Sequence, residues 1–514
     1  TLSHLPLTLN GKIDWKSLPP PKDFERILDR HHVEPRNKTE SAIHKIWRDV
    51  LNMKKVSITD NFFDLGGNSQ LIAQLSVRIL EKFHMALPEK ILFDLPFIPV
   101  MAEYIQTKGK KYSFKTSAQE EINRDAVLND DIMPNKKICP NLENPKGILL
   151  TGASGFLGIY LLKELIEKTN AKIYCLIRKG KFESIAERLL NNIERYELSS
   201  TVSLANRRIV MIPGDIGSDQ FGIPLELYNN LANKIDLIFH CGAHVNTITS
   251  YSNLRTSNVN GTLEIIKFAI QSFDKPIHYI STLATANRLD EQGHLMEVFP
   301  DANASDITGG YTTSKWISER LLTQIKNRGL PVSIYRSSYI WGQSDSGVTN
   351  MNDALLLLIK GCIQAGIAPD WKEKVTILPV DFVSKAVVGI SLLQKDKSDV
   401  FHFDHPSGIM WTDLIAWLNN YGYNINICDH KEWLEKLTQM TGENALYPFL
   451  PHLLAQQTAP DSPIIEMRNT TNALRKIQLP FPDINNRLLC IYISYLCEVG
   501  FLPEPENKRK QIFV

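Results

Sequence analysis

The stretch that decides the fold reads Thr151-Gly152-Ala153-Ser154-Gly155-Phe156-Leu157-Gly158. A short apolar run precedes it, and an amphipathic helical pattern follows it as far as about Lys168. Glycines at this spacing allow a tight strand-to-helix turn and let phosphates approach the backbone at a helix N-terminus. Glycine turns also join strands to helices for steric reasons alone. The position of this loop between a strand and a helix favours a dinucleotide site.

The chain around this loop alternates apolar runs with amphipathic helical stretches, which is typical of a parallel, doubly wound sheet. Beyond Gly342 this alternation weakens, and helical patterns such as 354–361 and 411–418 dominate. We therefore predict an α/β Rossmann-type sheet over 146–345 and a smaller, mainly helical cap domain over 346–514. The predicted strands are 147–150, 172–177, 209–212, 237–239, 277–280 and 332–335.

The N-terminal part has a different pattern. Apolar residues recur at helical spacing around Trp47 and again around Leu75, which predicts a small all-α bundle over 35–108. Prolines 19–21 end an opening segment, 1–22, that is typical of an extended linker. A polar, lysine-rich stretch over 109–145 predicts a mobile connector between the two folded parts.

Composition limits the partners that the protein can have. The 57 basic and 56 acidic residues give no overall field for nucleic acid or an anionic membrane. The sequence lacks both a secretory h-region and a run of about 18 apolar residues, so we expect a soluble, cytoplasmic protein. Seven cysteines without a CxxC pair predict reduced thiols. The pairs His240/His244 and His402/His405 lack an HExxH context, so no metal site is predicted.

Ser69 follows two glycines and an asparagine at the start of a helical pattern, where a phosphate is favoured. Simple helix capping is the alternative for a bare Gly-Gly-x-Ser. The surrounding residues, Asn61-Phe62-Phe63 before the serine and Leu71 after it, resemble the phosphopantetheine attachment motif of peptidyl carrier proteins. The resemblance implies that a phosphopantetheinyl transferase attaches 4′-phosphopantetheine to Ser69.

The opening residues 5–14, with Lys12, are similar to the final motif of adenylation domains. Trp15 stands where that family usually has arginine. The resemblance implies that 1–22 is the end of an adenylation domain. We therefore expect a fragment of a larger enzyme, whose partners are upstream adenylation and condensation modules.

Basic residues after the second predicted strand favour NADPH over NADH. Arg178 and Lys179 replace the acidic residue that would bind a ribose diol, and cations suit a 2′-phosphate. We expect Arg188, about three turns along the next helix, to supply a second contact, although an arginine at such a place is often only solvated. Asp215 and Ile216 follow the third strand and His240-Cys241-Gly242-Ala243 follow the fourth, where such folds approach the adenine and the pyrophosphate and ribose. The four residues after the fourth strand are equally well explained as turn residues. The predicted cofactor-binding residues are Thr151, Gly152, Ser154, Gly155, Phe156, Leu157, Gly158, Arg178, Lys179, Arg188, Asp215, Ile216, Ala243, Asn260, Tyr311 and Lys315.

Tyr311 and Lys315 are four residues apart in a helical pattern, so both lie on one face. An ammonium beside a phenol is expected to lower the pKa of the phenol. Thr282, at the end of a predicted strand, can donate a further hydrogen bond to a carbonyl oxygen. A Tyr-x-x-x-Lys alone usually arises by chance, but with Thr282 and the glycine loop it resembles the extended short-chain dehydrogenase/reductase family. The resemblance implies that these three residues are catalytic.

Two further stretches bear on this resemblance. Asn260 in 258–262 matches the family, whereas Arg336-Ser337-Ser338 replaces its usual Arg-Pro-Gly. Over 145–404 the chain most resembles the thioester reductase domains of nonribosomal peptide synthetases and carboxylate reductases. The resemblance implies NADPH-dependent release of a tethered aminoacyl or peptidyl thioester as an aldehyde. Alternatives are four-electron reduction to an alcohol, a redox-inactive cyclising domain, and a free sugar-nucleotide epimerase or dehydratase.

Overall fold

A computed structural model describes residues 33–505. The expected adenylation remnant at 1–22, including Lys12, lies outside the described residues. The chain divides into two compact units, 1–112 and 113–514. The gaps are at 54, 68, 86, 89–90, 93–94, 110–113, 138, 140–141, 143, 181–182, 247–248, 302–306, 394–396, 441–443, 451–452 and 454–462.

The first unit contains three described helices, α1 (Lys38–Leu51), α2 (Ser69–Phe83) and α3 (Ile98–Thr107). Helix α1 begins at its cap Asn37, whose side chain accepts the N–H of Glu40, and ends at Asn52 with a left-handed backbone. Trp47 and Phe62 are fully buried with their ring centroids 5.0 Å apart. The predicted helical bundle is therefore confirmed, with its core on the apolar faces identified from the sequence.

Seven described strands of the second unit form one parallel sheet in the order β11-β6-β5-β4-β1-β2-β3. All six predicted strands belong to this sheet, which confirms the doubly wound α/β prediction. Other described strands pair two by two, β7 with β10, β9 with β12 and β8 with β13. The strands are β1 (Gly147–Thr151), β2 (Lys172–Ile177), β3 (Ile209–Pro213), β4 (Leu237–His240), β5 (Ile277–Thr282), β6 (Val332–Ser337), β7 (Tyr339–Trp341), β8 (Ile367–Pro369), β9 (Lys374–Val375), β10 (Ile377–Pro379), β11 (Val400–Phe403), β12 (Ile409–Met410) and β13 (Asn426–Cys428).

Helices cover both faces of the sheet, as its near-continuous apolar strands require. Helices α5, α6 and α12 pack with one apolar layer, and α7, α9 and α10 with the other. The described helices of this unit are α4 (Phe114–Asp125), α5 (Phe156–Lys168), α6 (Ile185–Arg195), α7 (Leu225–Lys234), α8 (Tyr251–Arg255), α9 (Gly261–Ala269), α10 (Gly310–Asn327), α11 (Ala354–Ala365), α12 (Val380–Leu393), α13 (Trp411–Tyr421), α14 (His430–Thr438), α15 (Arg468–Lys476) and α16 (Asn486–Glu498).

The sheet takes its seventh strand from the region expected to form the cap. Strand β11 pairs with β6, and helix α12 packs on α5. Both β11 and α12 follow residue 346 and so belong to the region expected to form the cap. The other described α-helices and strands of that region are five helices of 9 to 13 residues and five strands of two or three residues, so by residue count it is mainly helical, as predicted. Three tryptophans form part of their core, with the Trp371 ring centroid 5.6 Å from that of Trp411 and 5.5 Å from that of Trp433.

The predicted mobile connector is folded onto the second unit from α4 onward. Asp125 accepts hydrogen bonds from Arg255 Nε at 2.5 Å and from the Tyr251 hydroxyl at 2.6 Å. Arg328 donates to the carbonyl oxygens of Leu128 at 3.0 Å and Ile132 at 2.7 Å. The segment differs from our expectation because its polar groups bind partners about 130 to 200 residues away, which composition does not reveal.

Candidate active site

Two glycines of the loop after β1, Gly152 and Gly158, leave no room for a side chain. Gly152 has a φ of +73°, and a Cβ atom there would lie 2.7 Å from the backbone nitrogen of Gly242. A Cβ atom at Gly158 would lie 1.9 Å from the Gly152 carbonyl oxygen, so the first turn of α5 packs on the loop. Helix α5 begins after Gly155 without a side-chain cap, and the first N–H groups of a helix have no intrahelical acceptors. This backbone surface fits the expected pyrophosphate.

Other residues of the loop have different environments. Ser154 is half-buried, and Leu157 is buried in the core beside the sheet. The Phe156 ring packs against Tyr160 and Tyr196, with centroid distances of 5.8 and 5.0 Å. Phe156 and Leu157 therefore use their side chains for packing, and only their backbone N–H groups suit a phosphate.

Thr151 and His240 connect the glycine loop to the loop after β4. His240 Nδ1 lies 2.8 Å from Thr151 Oγ1, and its Nε2 lies 3.2 Å from Thr262 Oγ1. The N–H of Gly242 donates to Thr151 Oγ1 at 3.0 Å. Burial, together with the charge of Lys315, lowers the pKa of His240 to about 3, so the ring is neutral at neutral pH. Thr151 thus holds two loops together through its side chain.

Three basic residues lie near the end of β2. The Nη1 group of Arg188 donates to the Arg178 carbonyl oxygen at 3.0 Å, and Arg178 Nη1 lies 3.9 Å from Asp215 Oδ2 after β3. Arg178 and Lys179 are exposed and Arg188 is half-buried. The position expected for Arg188 was wrong: it lies in the first turn of α6, because Ser184 caps the helix only four residues earlier.

A π-helical turn over 256–260 contains a residue that the sequence analysis missed. The buried Asn258 accepts the N–H of His244 at 2.7 Å and donates to the Ser314 hydroxyl at 2.9 Å. It therefore ties the loop after β4 to helix α10, whereas the selected Asn260 is half-buried at the end of the turn. The Thr262 hydroxyl donates to the Asn258 carbonyl. Asn258 and Thr262 are four residues apart, and this spacing was the sequence feature that could have indicated a shared, buried helix face.

Two other predicted cofactor residues lie along the same edge of the sheet. Ile216, after β3, is partly buried and packs against the apolar layer of α7, α9 and α10. Ala243 is half-buried in the loop after β4. Both therefore lie beyond the carboxyl ends of parallel strands, where open α/β sheets bind their ligands.

Tyr311 and Lys315 lie one turn apart on α10, as their spacing predicted. Lys315 is buried, donates to the Ile280 carbonyl oxygen at 2.5 Å, and lies 4.0 Å from the centroid of the Tyr279 ring. The lysine thereby joins α10 to strand β5. Within the described part of the chain, the hydrogen bond of Tyr311 outside the helix ladder is that of its backbone carbonyl, which accepts the Ser314 hydroxyl at 2.7 Å.

Burial dominates the ionisation of both groups. It raises the pKa of Tyr311 above its ordinary value, and it lowers the pKa of Lys315 to about 8. The expected lowering of the Tyr311 pKa by Lys315 was wrong for the protein without ligands, because the ammonium is directed to the Ile280 carbonyl. Tyr311 is therefore a neutral proton donor at neutral pH.

Thr282 ends β5, opposite Ser337 of β6. The Thr282 hydroxyl accepts a long hydrogen bond of 3.4 Å from the N–H of Ala284, and its carbonyl oxygen lies 2.7 Å from the Thr285 hydroxyl oxygen. A hydroxyl that accepts from the backbone keeps its own hydrogen for another oxygen. Thr282 and the Tyr311–Lys315 pair thus lie on two neighbouring elements at the carboxyl edge of the sheet.

In the first unit, Ser69 is the first residue of α2, as predicted. The loop before it is held by the N–H of Gly67, which donates to the Phe62 carbonyl at 3.0 Å, and by Phe63 N–H, which donates to Asn61 Oδ1 at 2.9 Å. The side chain of Ser69 lies outside the described residues.

Comparisons with known proteins recover the same two units. Residues 41–105 match a family described as phosphopantetheine attachment site, and residues 150–387 match an NAD-binding family described as male sterility protein. A thiolation–reductase di-domain from an archaeal non-ribosomal peptide synthetase has a TM-score of 0.71 and 25% identity, covering 92% of this chain and 99% of that one. The chain belongs to the thiolation–reductase family. Its first unit is the carrier and its second is the reductase, an extended short-chain dehydrogenase/reductase.

Further similar proteins support the assignment to this family. The terminal R domain of the myxalamid pathway has a TM-score of 0.70 and 33% identity, covering 76% of this chain and 100% of that one. A linear gramicidin synthase polypeptide of Brevibacillus parabrevis is 32% identical, and L-2-aminoadipate reductase of Schizosaccharomyces pombe 29% identical, each over 99% of this chain. The chain spans only 10% and 39% of the length of these two relatives. Among its described helices, none is long and apolar enough to cross a membrane.

Proposed function

We propose that the protein reduces an aminoacyl or peptidyl thioester, tethered to Ser69 through 4′-phosphopantetheine, and releases it as an aldehyde using NADPH. The observation that carries this proposal is the placement of Thr282 and Tyr311 at the same sheet edge as the glycine loop, in a chain that also contains a carrier. Relatives that include named reductases support the reaction class. The proposed catalytic residues are Thr282, Tyr311 and Lys315.

The residues of the reductase would act on the thioester carbonyl. A nicotinamide cofactor supplies a hydride when it is bound. Thr282 and Tyr311 would donate hydrogen bonds to the carbonyl oxygen and stabilise the negative charge that develops on it. Tyr311 would then give its proton to that oxygen. Lys315 would contact the nicotinamide ribose from its buried position beside Tyr279 and stabilise the phenolate that remains.

The reaction balances as one thioester, one NADPH and one proton giving one aldehyde, one thiol and one NADP⁺. The carbon–sulfur bond breaks, and the thiol stays on the carrier. A second round on the aldehyde would consume another NADPH and give an alcohol. Tethering raises the effective concentration of the thioester at the reductase. A phosphopantetheinyl transferase and upstream adenylation and condensation modules are the proposed partners.

The proposal is tested by loading Ser69 with each of the twenty aminoacyl-phosphopantetheines in turn. NADPH oxidation is followed by absorbance, and the released product by mass spectrometry. We expect one NADPH to be consumed for each aldehyde released. Consumption of two NADPH for each alcohol released would show that the product is an alcohol and not an aldehyde. A cyclised product without NADPH consumption, or no reduction of any loaded group, would overturn the proposal.

Cofactor preference is predicted to depend on the cations after β2. Replacing Arg178 and Lys179 together by alanine is expected to raise the Kd for NADPH about 10- to 100-fold, because charge-assisted hydrogen bonds contribute about 1.5–3 kcal/mol. The Kd for NADH should change less than about twofold. Fluorescence titration measures both. Lys172→Ala, at the opposite end of β2, is the control and should leave both unchanged; equal losses for NADPH and NADH would contradict the assignment.

Activity is predicted to fall as the pH rises above about 8. Burial lowers the pKa of Lys315 to about 8, so the lysine loses its charge above that pH, whereas an ordinary lysine would keep it to about 10.4. The pH profile of kcat/KM for NADPH reports groups of the free enzyme and should show this alkaline decline. Lys315→Arg, which stays charged, should remove the decline even if its activity is lower. An unchanged decline in that variant would exclude Lys315 as its cause.

A further inference from the structure

A buried carboxylate lies on the same helix as the proposed catalytic pair. Glu319 follows Lys315 by one turn and Tyr311 by two turns on α10, and its side chain is completely buried. Its Oε1 atom accepts the Ser281 hydroxyl at 2.5 Å and the Thr285 hydroxyl at 2.7 Å. Glu319 therefore binds one residue on each side of Thr282, which is itself proposed to act on the substrate.

These contacts hold the backbone around Thr282. Ser281 precedes it in β5, and Thr285 ends the short 3₁₀ turn that follows. The Thr285 hydroxyl also lies 2.7 Å from the Thr282 carbonyl oxygen. The turn that presents the Thr282 hydroxyl is thus fastened to the helix that carries Tyr311, through a single carboxylate.

The carboxylate is held in turn by Arg336 of the neighbouring strand β6. Arg336 Nη2 lies 2.6 Å from Glu319 Oε2, its Nε donates to the same carboxylate, and both side chains are almost fully buried. Arg336 Nη1 lies 3.1 Å from His402 Nε2, and His402 Nδ1 lies 3.0 Å from the Glu466 carbonyl oxygen. Glu319 is therefore paired and fixed in one orientation, which is what positioning of another group requires.

We propose that Glu319 is a positioning residue that aligns the Thr282 hydroxyl with Tyr311 through Ser281 and Thr285. The inference rests on the proposed reaction. A structural role alone would also explain a buried ion pair, since removing one partner of such a pair is strongly destabilising. The two roles differ in what they predict: positioning acts only through Thr282, whereas a structural role acts on the whole fold.

The test removes the hydroxyl donors and leaves the Glu319–Arg336 pair intact. In Ser281→Ala and Thr285→Val, the single-turnover rate of reduction on the aminoacyl-loaded carrier is expected to fall about 5- to 10-fold, as for a lost hydrogen bond. The Kd for NADPH should not change. Thr285→Ser keeps the hydroxyl and should restore most of the rate. In a Thr282→Ala background, the same substitutions should lower the rate by less than about twofold.

Thr323→Val is the matched control. Thr323 lies on the same helix, is buried, and donates to the Glu319 backbone carbonyl at 2.6 Å, not to its carboxylate. It should leave the rate unchanged. The positioning role would be overturned if Ser281→Ala and Thr285→Val lowered the single-turnover rate equally with and without the Thr282 hydroxyl, or if Thr323→Val lowered it as much as they do.

If the wild type reduces no loaded group, the proposed function fails. Amide hydrogen exchange over 282–286 then decides the inference: faster exchange there alone in Ser281→Ala and Thr285→Val supports it, and unchanged or global exchange refutes it.

Discussion

Replacing Tyr311 with phenylalanine is expected to abolish measurable turnover while NADPH still binds. The substitution removes a single hydroxyl from a half-buried ring and adds no volume. Burial holds the pKa of this hydroxyl above its ordinary value, so the phenol is protonated at neutral pH and carries the proton that the transfer requires. Positioned proton transfer contributes about 100- to 10,000-fold to a rate, and a loss of this size is expected in single-turnover kinetics.

The control for this prediction is Tyr228→Phe. Tyr228 is a buried tyrosine on α7, packed against Phe221 and Phe268 in the core, so it undergoes the same chemical change away from the site. The single-turnover rate of the Tyr228→Phe variant and its Kd for NADPH should equal those of the wild type. A Tyr311→Phe variant with at least a tenth of the wild-type rate would remove Tyr311 from the proton transfer. Loss of NADPH binding in the same variant would instead assign it to the cofactor.

The sheet of the reductase was largely predictable because its strands are buried on both faces. Such strands appear in the sequence as short apolar runs, and β2 was predicted with its observed bounds. Strand β11 was missed because His402 lies inside it and interrupts its apolar run. This histidine is tolerated in the core because Arg336 and the Glu466 carbonyl bind its two ring nitrogens. Partners so distant in sequence cannot be inferred from local periodicity.

The site was predictable where spacing along one element decides it. The four-residue spacing of Tyr311 and Lys315 and the glycine loop are of this kind. The environment of these groups was not predictable. The direction of the Tyr311 pKa depends on burial and on where Lys315 points, and both result from the approach of α10 to β5. Asn258 was overlooked for a related reason: its spacing of four from Thr262 indicates a shared face, but its role is visible only in its contacts with His244 and Ser314.

Replacing Ser69 with alanine is expected to eliminate reduction of carrier-loaded substrate completely. Alanine has no hydroxyl to form the phosphodiester, so no thioester can be attached at this position. The transferase reaction, followed by mass spectrometry of the intact protein, should show no added mass. The reductase itself should be unaffected, since the glycine loop, Thr282 and Tyr311 all belong to the second compact unit.

Two comparisons distinguish lost tethering from a damaged protein. Free aminoacyl-pantetheine should still be reduced by Ser69→Ala, at the same rate as by unloaded wild type. That rate should be below the tethered rate at micromolar substrate, because a short flexible tether supplies an effective concentration in the millimolar range. Ser41→Ala is the control within the carrier, as Ser41 is exposed and its hydroxyl donates to the Asn37 carbonyl. It should load and turn over normally.

Loading of Ser69→Ala at another residue would refute Ser69 as the attachment site. Equal rates for tethered and free substrate would show that the carrier gives no kinetic advantage.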